Sequence, residues 1–255
     1  MHYHGRTDTG RERNTNEDAF LVLEHPPFYI FGVADGMGGH AAGEVASSLA
    51  FKSIKAFLKE NLEGLKEMDP SVDNFSTFIF NMISEANYRI WQASRNSRDH
   101  HGMGTTVTLG ILTNNHFFIG HVGDSRAYVI HEDSILQVTR DHSLVAEMLE
   151  NGQLDKEEAQ NHPQRHVLTR ALGTGSYVEV DFFHGEFHKG DIFIFCTDGL
   201  TSTVGMEEIL LVGREGAKAG EMAATLVGMA NQRGGPDNIT VVVVKNISDN
   251  KDLAR

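Results

Sequence analysis

Three apolar runs in this chain stop on aspartate: FYIFGVAD at Asp35, HFFIGHVGD at Asp124 and DIFIFCTD at Asp198. A fourth, PDNITVVVV, begins just after Asp237. Any one of these reads as an ordinary turn residue, because Asp bonds its own backbone and tolerates turn geometry. Four together point further, since neighbouring strands can bring their ends to one rim. Carboxylates gathered there repel one another unless a cation neutralises them. The donors are all oxygen, with no Cys or His partner nearby, which favours magnesium or manganese over zinc. Two such ions about 3.5–4 Å apart can clamp a phosphoryl group and make bound water the attacker, so no protein nucleophile is needed.

The sequence agrees by omission. A cysteine-dependent phosphatase needs Arg six residues after its Cys, and Ser202 stands six after Cys196. HExxH and GxSxG are both absent. A phosphate substrate also needs a cation, and RERNTNED over 11–18 offers Arg11 and Arg13 just before Glu17 and Asp18. The planar fork of Arg can hold two phosphate oxygens. Spacing alone fits an ordinary solvated charge cluster equally well. One decoy is the stretch from Gly36 to Ala41, which fits the dinucleotide fingerprint GxGxxA between a strand and a helix. Against it, Asp35 would face the pyrophosphate with like charge, and the following helix leads to another helix rather than a parallel strand.

The elements that must carry these residues are legible in the periodicity. A strand over 18–23, a turn at Pro26-Pro27 and a strand over 28–34 make a hairpin. Apolar residues at helical spacing predict helices over 44–62 and from Phe75 to Ile90, the second capped by Ser71. From Gly104 to Thr139 consecutive short strands suggest an antiparallel meander. A short helix over 143–151 closes at Gly152, and residues 153–166 have little periodicity and read as a surface flap. Strands over 178–187 and 191–196, a helix over 220–232 and a strand over 238–245 complete the chain. Strands and helices are segregated rather than alternating, which predicts one α+β domain. Residues 6–17 and the tail 248–255 are polar and read as irregular.

The 255 residues suffice for one large core. A net charge of −13 argues against nucleic acid. The lone Cys196 excludes an internal disulfide and fits a reducing compartment, and no apolar run approaches the ~18 residues of a membrane span. A cytoplasmic location is the expectation.

Taken together, the motifs RTDTGRERNTNEDAF, GVADGMGGHAAGEVAS, GMGTTVTLGIL, HVGDSRAYVI, LTRDHSLVAEMLENG, LTRALGT, FIFCTDGLTSTV and GGPDNITVVVV resemble the metal-dependent serine/threonine phosphatases (PPM, or type 2C) in their bacterial form. They run in family order from Arg6 to Val244. The resemblance implies a central β-sandwich of two antiparallel sheets flanked by helices, spanning 1–247 with a flap at about 141–166. It implies two to three Mn²⁺ or Mg²⁺ ions in a cleft at one end. Asp35 would bridge two of them, with the Gly36 carbonyl on the second, Asp198 and Asp237 on the first, and Asp124 helping Asp198 with a third. Glu17 and Asp18 would support the cluster, Asn238 would steady Asp237, and Arg13 would bind the substrate phosphate. The implied reaction is hydrolysis of phosphoserine and phosphothreonine in proteins by a metal-bridging hydroxide, in a monomer opposing a serine/threonine kinase. Relatives in animals and plants carry a histidine, the proposed general acid, two residues after the bridging aspartate, where this chain has Met37. His40 is the nearby alternative, while His100, His101, His162 and His166 read as surface or flap residues.

Overall fold

The computed structural model of the chain describes residues 1–38, 42–69, 71–96 and 98–246. Strands β1 (His2–Asp8), β2 (Ala19–His25), β3 (Phe28–Ala34) and the two-residue β4 (Gly36–Met37) lead into helices α1 (Ala42–Glu67) and α2 (Val72–Asn96). The short β5 (Gly104–Thr105) precedes β6 (Val107–Thr113), β7 (His116–Val122), β8 (Arg126–His131) and β9 (Ser134–Gln137). Helices α3 (Leu144–Glu150) and α4 (Lys156–Asn161) follow, then β10 (Asp181–Glu186) and β11 (Ile192–Cys196). The chain closes with α5 (Asp198–Thr201), α6 (Met206–Arg214), α7 (Ala219–Gln232) and β12 (Ile239–Lys245).

Two five-stranded sheets, ordered β1-β12-β11-β8-β9 and β10-β7-β6-β3-β2, pair antiparallel throughout and stack face to face. Alternation along each strand sorts its side chains between two cores. Phe31, Val33, Phe193, Phe195, Val242 and Val244 fill the space between the sheets. Ile30, Leu109 and Ile111 face outward onto α1 and α2, where Phe75 stacks on Phe118 with ring centroids 4.0 Å apart. Ile194, Cys196, Val241 and Val243 face outward onto α6 and α7. Strands covered on both faces are apolar at nearly every position, which is why IFIFC and ITVVVV show no polar alternation, the one polar residue, Thr240, being hydrogen-bonded to Thr7. The expected α+β sandwich is the fold observed.

Several expectations need correction. The polar N-terminus holds strand β1, an edge strand paired with β12, in which Tyr3, Gly5 and Asp8 are partly covered and the rest exposed. The meander is interrupted. β7 and β8 lie in different sheets, so the chain crosses the sandwich between Val122 and Arg126, and Asp124 sits on the crossing. Helix α6 was not legible as a separate element, and α4 lies inside the flap, held by a capping box between Asp155 and Glu158. Residues at the start of the expected flap are hydrogen-bonded to the sandwich. Asp141 is paired bidentately with Arg126, and the His142 N–H donates to the Gly123 carbonyl at 2.7 Å.

Candidate active site

One cleft of about 280 Å³ at the rim of the sandwich is lined by Asp35, Gly36, Asp124, Asp198, Asp237 and Asn238, with Arg13 and Glu17 on the loop above. The strand-end aspartates therefore do gather at one place. Each arrives by a different local device.

Asp35 follows directly on β3 and is gripped through its backbone. Its N–H donates to Thr106 Oγ1 at 2.9 Å, and its carbonyl accepts from the Thr106 N–H and the Thr105 hydroxyl, both at 2.8 Å. The β4–β5 ladder extends that grip, pairing Gly36 with Thr105 and Met37 with Gly104. A side chain at Gly36 would collide with the carbonyl oxygens of Gly43 and Glu17, so only glycine lets the backbone run this close to the cleft.

Asp124 sits on the sheet crossing, where Gly123 adopts φ +113°. The Gly123 N–H donates to His142 Nδ1 at 3.1 Å, and His142 Nε2 faces Asp181 Oδ2 at 3.2 Å. On the other side, the Ser125 and Thr106 hydroxyls lie 2.7 Å apart, which ties the Asp124 crossing to the backbone clamp on Asp35.

Asp198 opens the one-turn helix α5 at the end of the buried β11. Its neighbour Thr197 donates to Asp18 Oδ2 at 2.8 Å and accepts from the Thr240 N–H at 3.0 Å. Asp237 precedes β12 and accepts from the Asn238 N–H at 2.8 Å. Asn238 is a cross-brace. Its amide oxygen accepts from the Glu17 N–H at 2.8 Å, and its amide nitrogen donates to the carbonyls of Thr9 and Thr15, each at 2.9 Å. That one side chain pins the 9–17 loop over the cleft and so sets the place of Arg13, whose Nη2 lies 2.9 Å from Asp237 Oδ2.

The electrostatics are those of crowded, desolvated carboxylates. Burial pushes Asp124 up to about 8, with the Asp198 charge adding to it. Burial likewise holds Asp18 at about 7, although hydroxyl donors from Thr240 and Thr197 oppose the rise. Asp35 is pushed well above the usual carboxylate range, first by burial and then by the charges of Asp18, Asp198 and Asp124. Asp198 rises through burial and the Asp237 charge. By surface area these side chains are only part-covered, because they line an open cleft, yet Asp18 Oδ1 and Asp198 Oδ1 are buried and have no hydrogen-bond partner among the described residues. Orphaned, desolvated carboxylate oxygens beside a bare backbone carbonyl suit a hard divalent cation, and no thiol lines the cleft.

Of the sequence-predicted residues, Arg13, Glu17, Asp35, Gly36, Asp124, Asp198, Asp237 and Asn238 line the cleft, and Asp18 sits behind Asp198. Arg11 does not join them; its backbone N–H bonds the Gly235 carbonyl at 2.7 Å. His40 lies outside the described residues. Thr106 and His166 also line the cleft and are not marked out for function by the sequence. Thr106 gives no signal in spacing, since its role is a hydrogen bond to a residue 71 positions away. His166, read as one more surface or flap histidine, comes back over the cleft from the end of the flap and, when protonated, favours the charge on Asp198.

Fold and site together define a class: a helix–sheet–sheet–helix sandwich whose acidic rim suits a cluster of hard cations. The chain belongs to the protein phosphatase 2C family, whose sequence model matches residues 8–218. It is 41% identical to the serine/threonine phosphatase stp of Listeria innocua, over 96% of each chain. Its structure is similar to that of the serine/threonine phosphatase Stp1 from Staphylococcus aureus, with TM-score 0.89 and 31% identity over 98% of this chain and 96% of the other. It is similar also to the catalytic domain of the serine/threonine protein phosphatase PstP in complex with two manganese ions, with TM-score 0.80 and 33% identity over 96% and 98% of the two chains.

Proposed function

We propose that this chain removes phosphate from phosphoserine and phosphothreonine in proteins, with two to three Mn²⁺ or Mg²⁺ ions held by Asp35, the Gly36 carbonyl, Asp124, Asp198 and Asp237. The observation that carries the reading is the convergence of these residues, spread over some 200 positions of sequence, in one cleft of a protein phosphatase 2C fold. The two manganese ions in the PstP neighbour support it. Such ions, when bound, supply Lewis acidity and a water acidic enough to attack phosphorus near neutral pH.

The protein's own part is positioning and charge. Arg13, half-exposed at the mouth, offers its fork to the equatorial phosphoryl oxygens. Asn238 holds the Arg13 loop in register, and Thr106 fixes the direction of Asp35. Glu17 and Asp18 add negative charge behind the ligands. The departing serine or threonine oxygen needs a proton, and His166 is placed to donate it from the flap side of the cleft. We place the flap at 144–166, since Asp141 and His142 are tied into the sheets. Its sequence would govern peptide choice. Exchanging it should alter peptide preference and leave small aryl phosphates largely unaffected; equal loss of both would count against that role.

Phosphorylated proteins, a serine/threonine kinase among them, are the partners this activity implies, and a cytoplasmic monomer is the form in which we expect it. None of the described helices is long and apolar enough to cross a membrane. A non-catalytic binding module of the same fold would lack part of the ligand set, and the presence of every proposed ligand on the cleft lining supports the enzyme instead. The deciding assay is aryl-phosphate hydrolysis with Mn²⁺, with and without chelator, for wild type and Asp198→Ala. Activity that survives chelation would reject the mechanism.

A further inference from the structure

At the other end of β11 a second cluster uses different chemistry. β8 and β11 pair through Ile130 and Ile192, so the next residues outward, His131 and Asp191, meet side by side. His131 Nδ1 lies 2.7 Å from Asp191 Oδ1. His188, in the turn before β11, donates its backbone N–H to Asp191 Oδ2 at 2.7 Å and brings its Nδ1 to 3.9 Å from the same oxygen. The two imidazole rings are 5.5 Å apart. One ligand atom from each of the three residues falls within 4.8 Å of the others.

The geometry points to a second metal site, built from His131, His188 and Asp191 and suited to zinc or a similar first-row ion. Its frame is fixed. The Gly190 N–H donates to the Asn246 carbonyl at 2.7 Å, the Asp191 N–H bonds the His188 carbonyl at 3.2 Å, and Gly190 takes φ +96° to close the turn. Asp191 is 4% exposed, whereas the imidazoles, 50% and 67% exposed, are free to turn. An ion about 2.0–2.2 Å from three ligands needs them roughly 3.3 Å apart. The imidazole nitrogens lie 2.7 and 3.9 Å from the two oxygens of Asp191, and one ligand atom from each residue falls within 4.8 Å of the others, so the exposed rings must close by about 1 to 1.5 Å to take an ion. An adjoining cavity of about 430 Å³ leaves room for a water ligand.

A His131–Asp191 ion pair alone would need only one histidine. Two protonated imidazoles against one carboxylate repel each other, while a cation takes both in their neutral form. Arg214 on the cavity wall is engaged by the Asp133 carboxylate at 3.0 Å. Asp191 and Asp198 bracket β11, about 20 Å apart along an extended chain. Nitrogen donors here and oxygen donors in the cleft would sort ions between the two sites.

The test titrates Zn²⁺ calorimetrically, and Co²⁺ by visible absorption, into the full chain held in excess Mg²⁺. Wild type, His131→Ala and His188→Ala are compared, all three first checked for equal circular dichroism. The expected result is about one Zn²⁺ more in wild type than in either variant, with the strong absorption of four-coordinate cobalt seen only in wild type. Aryl-phosphate turnover with Mn²⁺ should be the same in all three. Equal zinc uptake and equal cobalt spectra in wild type and both variants would overturn the proposal.

Discussion

Arg13 Nη2 and Asp237 Oδ2 lie 2.9 Å apart across the mouth of the acidic cleft, though 224 positions separate the two residues in sequence. The Asp237 charge is the first reason the guanidinium holds its proton even more firmly than usual. A cation bound to Asp237 would draw that carboxylate inward and leave one face of the fork for phosphate. On the proposed function, the pair would couple metal loading to substrate capture.

Arg13→Ala should therefore weaken phosphate binding more than it slows the chemical step. Losing charge-assisted hydrogen bonds worth about 1.5–3 kcal/mol corresponds to a fall of roughly 10- to 150-fold in kcat/KM. Inhibition by inorganic phosphate should weaken in parallel. Arg13→Lys should recover little, because an ammonium lacks the fork. Steady-state kinetics showing kcat alone reduced would contradict this role.

Asp198→Asn removes a carboxylate that is crowded in the absence of metal. Without metal the variant should melt above wild type, by roughly 2–4 °C for each kcal/mol of repulsion relieved. Mn²⁺ should then raise its melting temperature far less than that of wild type, and phosphatase activity should be lost almost completely. A full Mn²⁺-induced rise in the variant would remove Asp198 from the ligand set.

The pH dependence has a definite sign. Asp18 and Asp124 stand at about 7 and about 8 in the folded chain, above the ordinary carboxylate range. Folding thus favours their protonated forms, and the stability this gives is complete in acid and lost as pH rises through 7 and 8. In chelator the melting temperature should fall between about pH 6.5 and 8 and level off above that. Added Mn²⁺ should flatten that decline by displacing the protons. His121, held by burial at about 4, changes stability only below its usual 6.5, outside this window. A melting temperature that climbs with pH in chelator would refute the assignment.

His142→Ala strips the Gly123 N–H of its acceptor and Asp181 of an imidazole partner. A buried donor left unpaired costs about 1–3 kcal/mol. Because Gly123 directly precedes Asp124, the variant should also need more Mn²⁺ for half-maximal activity. Chemical denaturation and a metal titration read the two effects separately. Unchanged metal demand would confine His142 to stability.

For His166→Gln the leaving group is the discriminating variable. Serine leaves as a strongly basic alkoxide unless protonated, whereas nitrophenolate departs readily by itself. Turnover of a phosphoserine peptide should drop by about 100-fold, at the lower end of general-acid effects, with aryl-phosphate turnover nearly constant. Equal losses on both substrates would point to positioning instead.

Sequence by itself determined the strands and the chemistry of their ends. Runs such as FYIFGVA and IFIFC are apolar at every position because both faces are covered, and each must stop where a charged residue meets water, at Asp35 and Asp198. The hairpin of β2 and β3, helix α2 behind its Ser71 cap and the family motifs were legible for the same local reasons. What only the tertiary structure decided is which ends meet. The partition of β7 and β8 between two sheets places Asp124 on the crossing, and no periodicity marks that choice, because either sheet would bury the same residues. Edge strand β1 left no pattern, because HYHGRTD holds one aromatic residue among polar and small ones, and what partly covers Tyr3, Gly5 and Asp8 lies far away in sequence. Thr106, Asn238 and His166 act through hydrogen bonds or charge on residues distant in the chain, and long-range contacts of that kind leave no trace in local spacing.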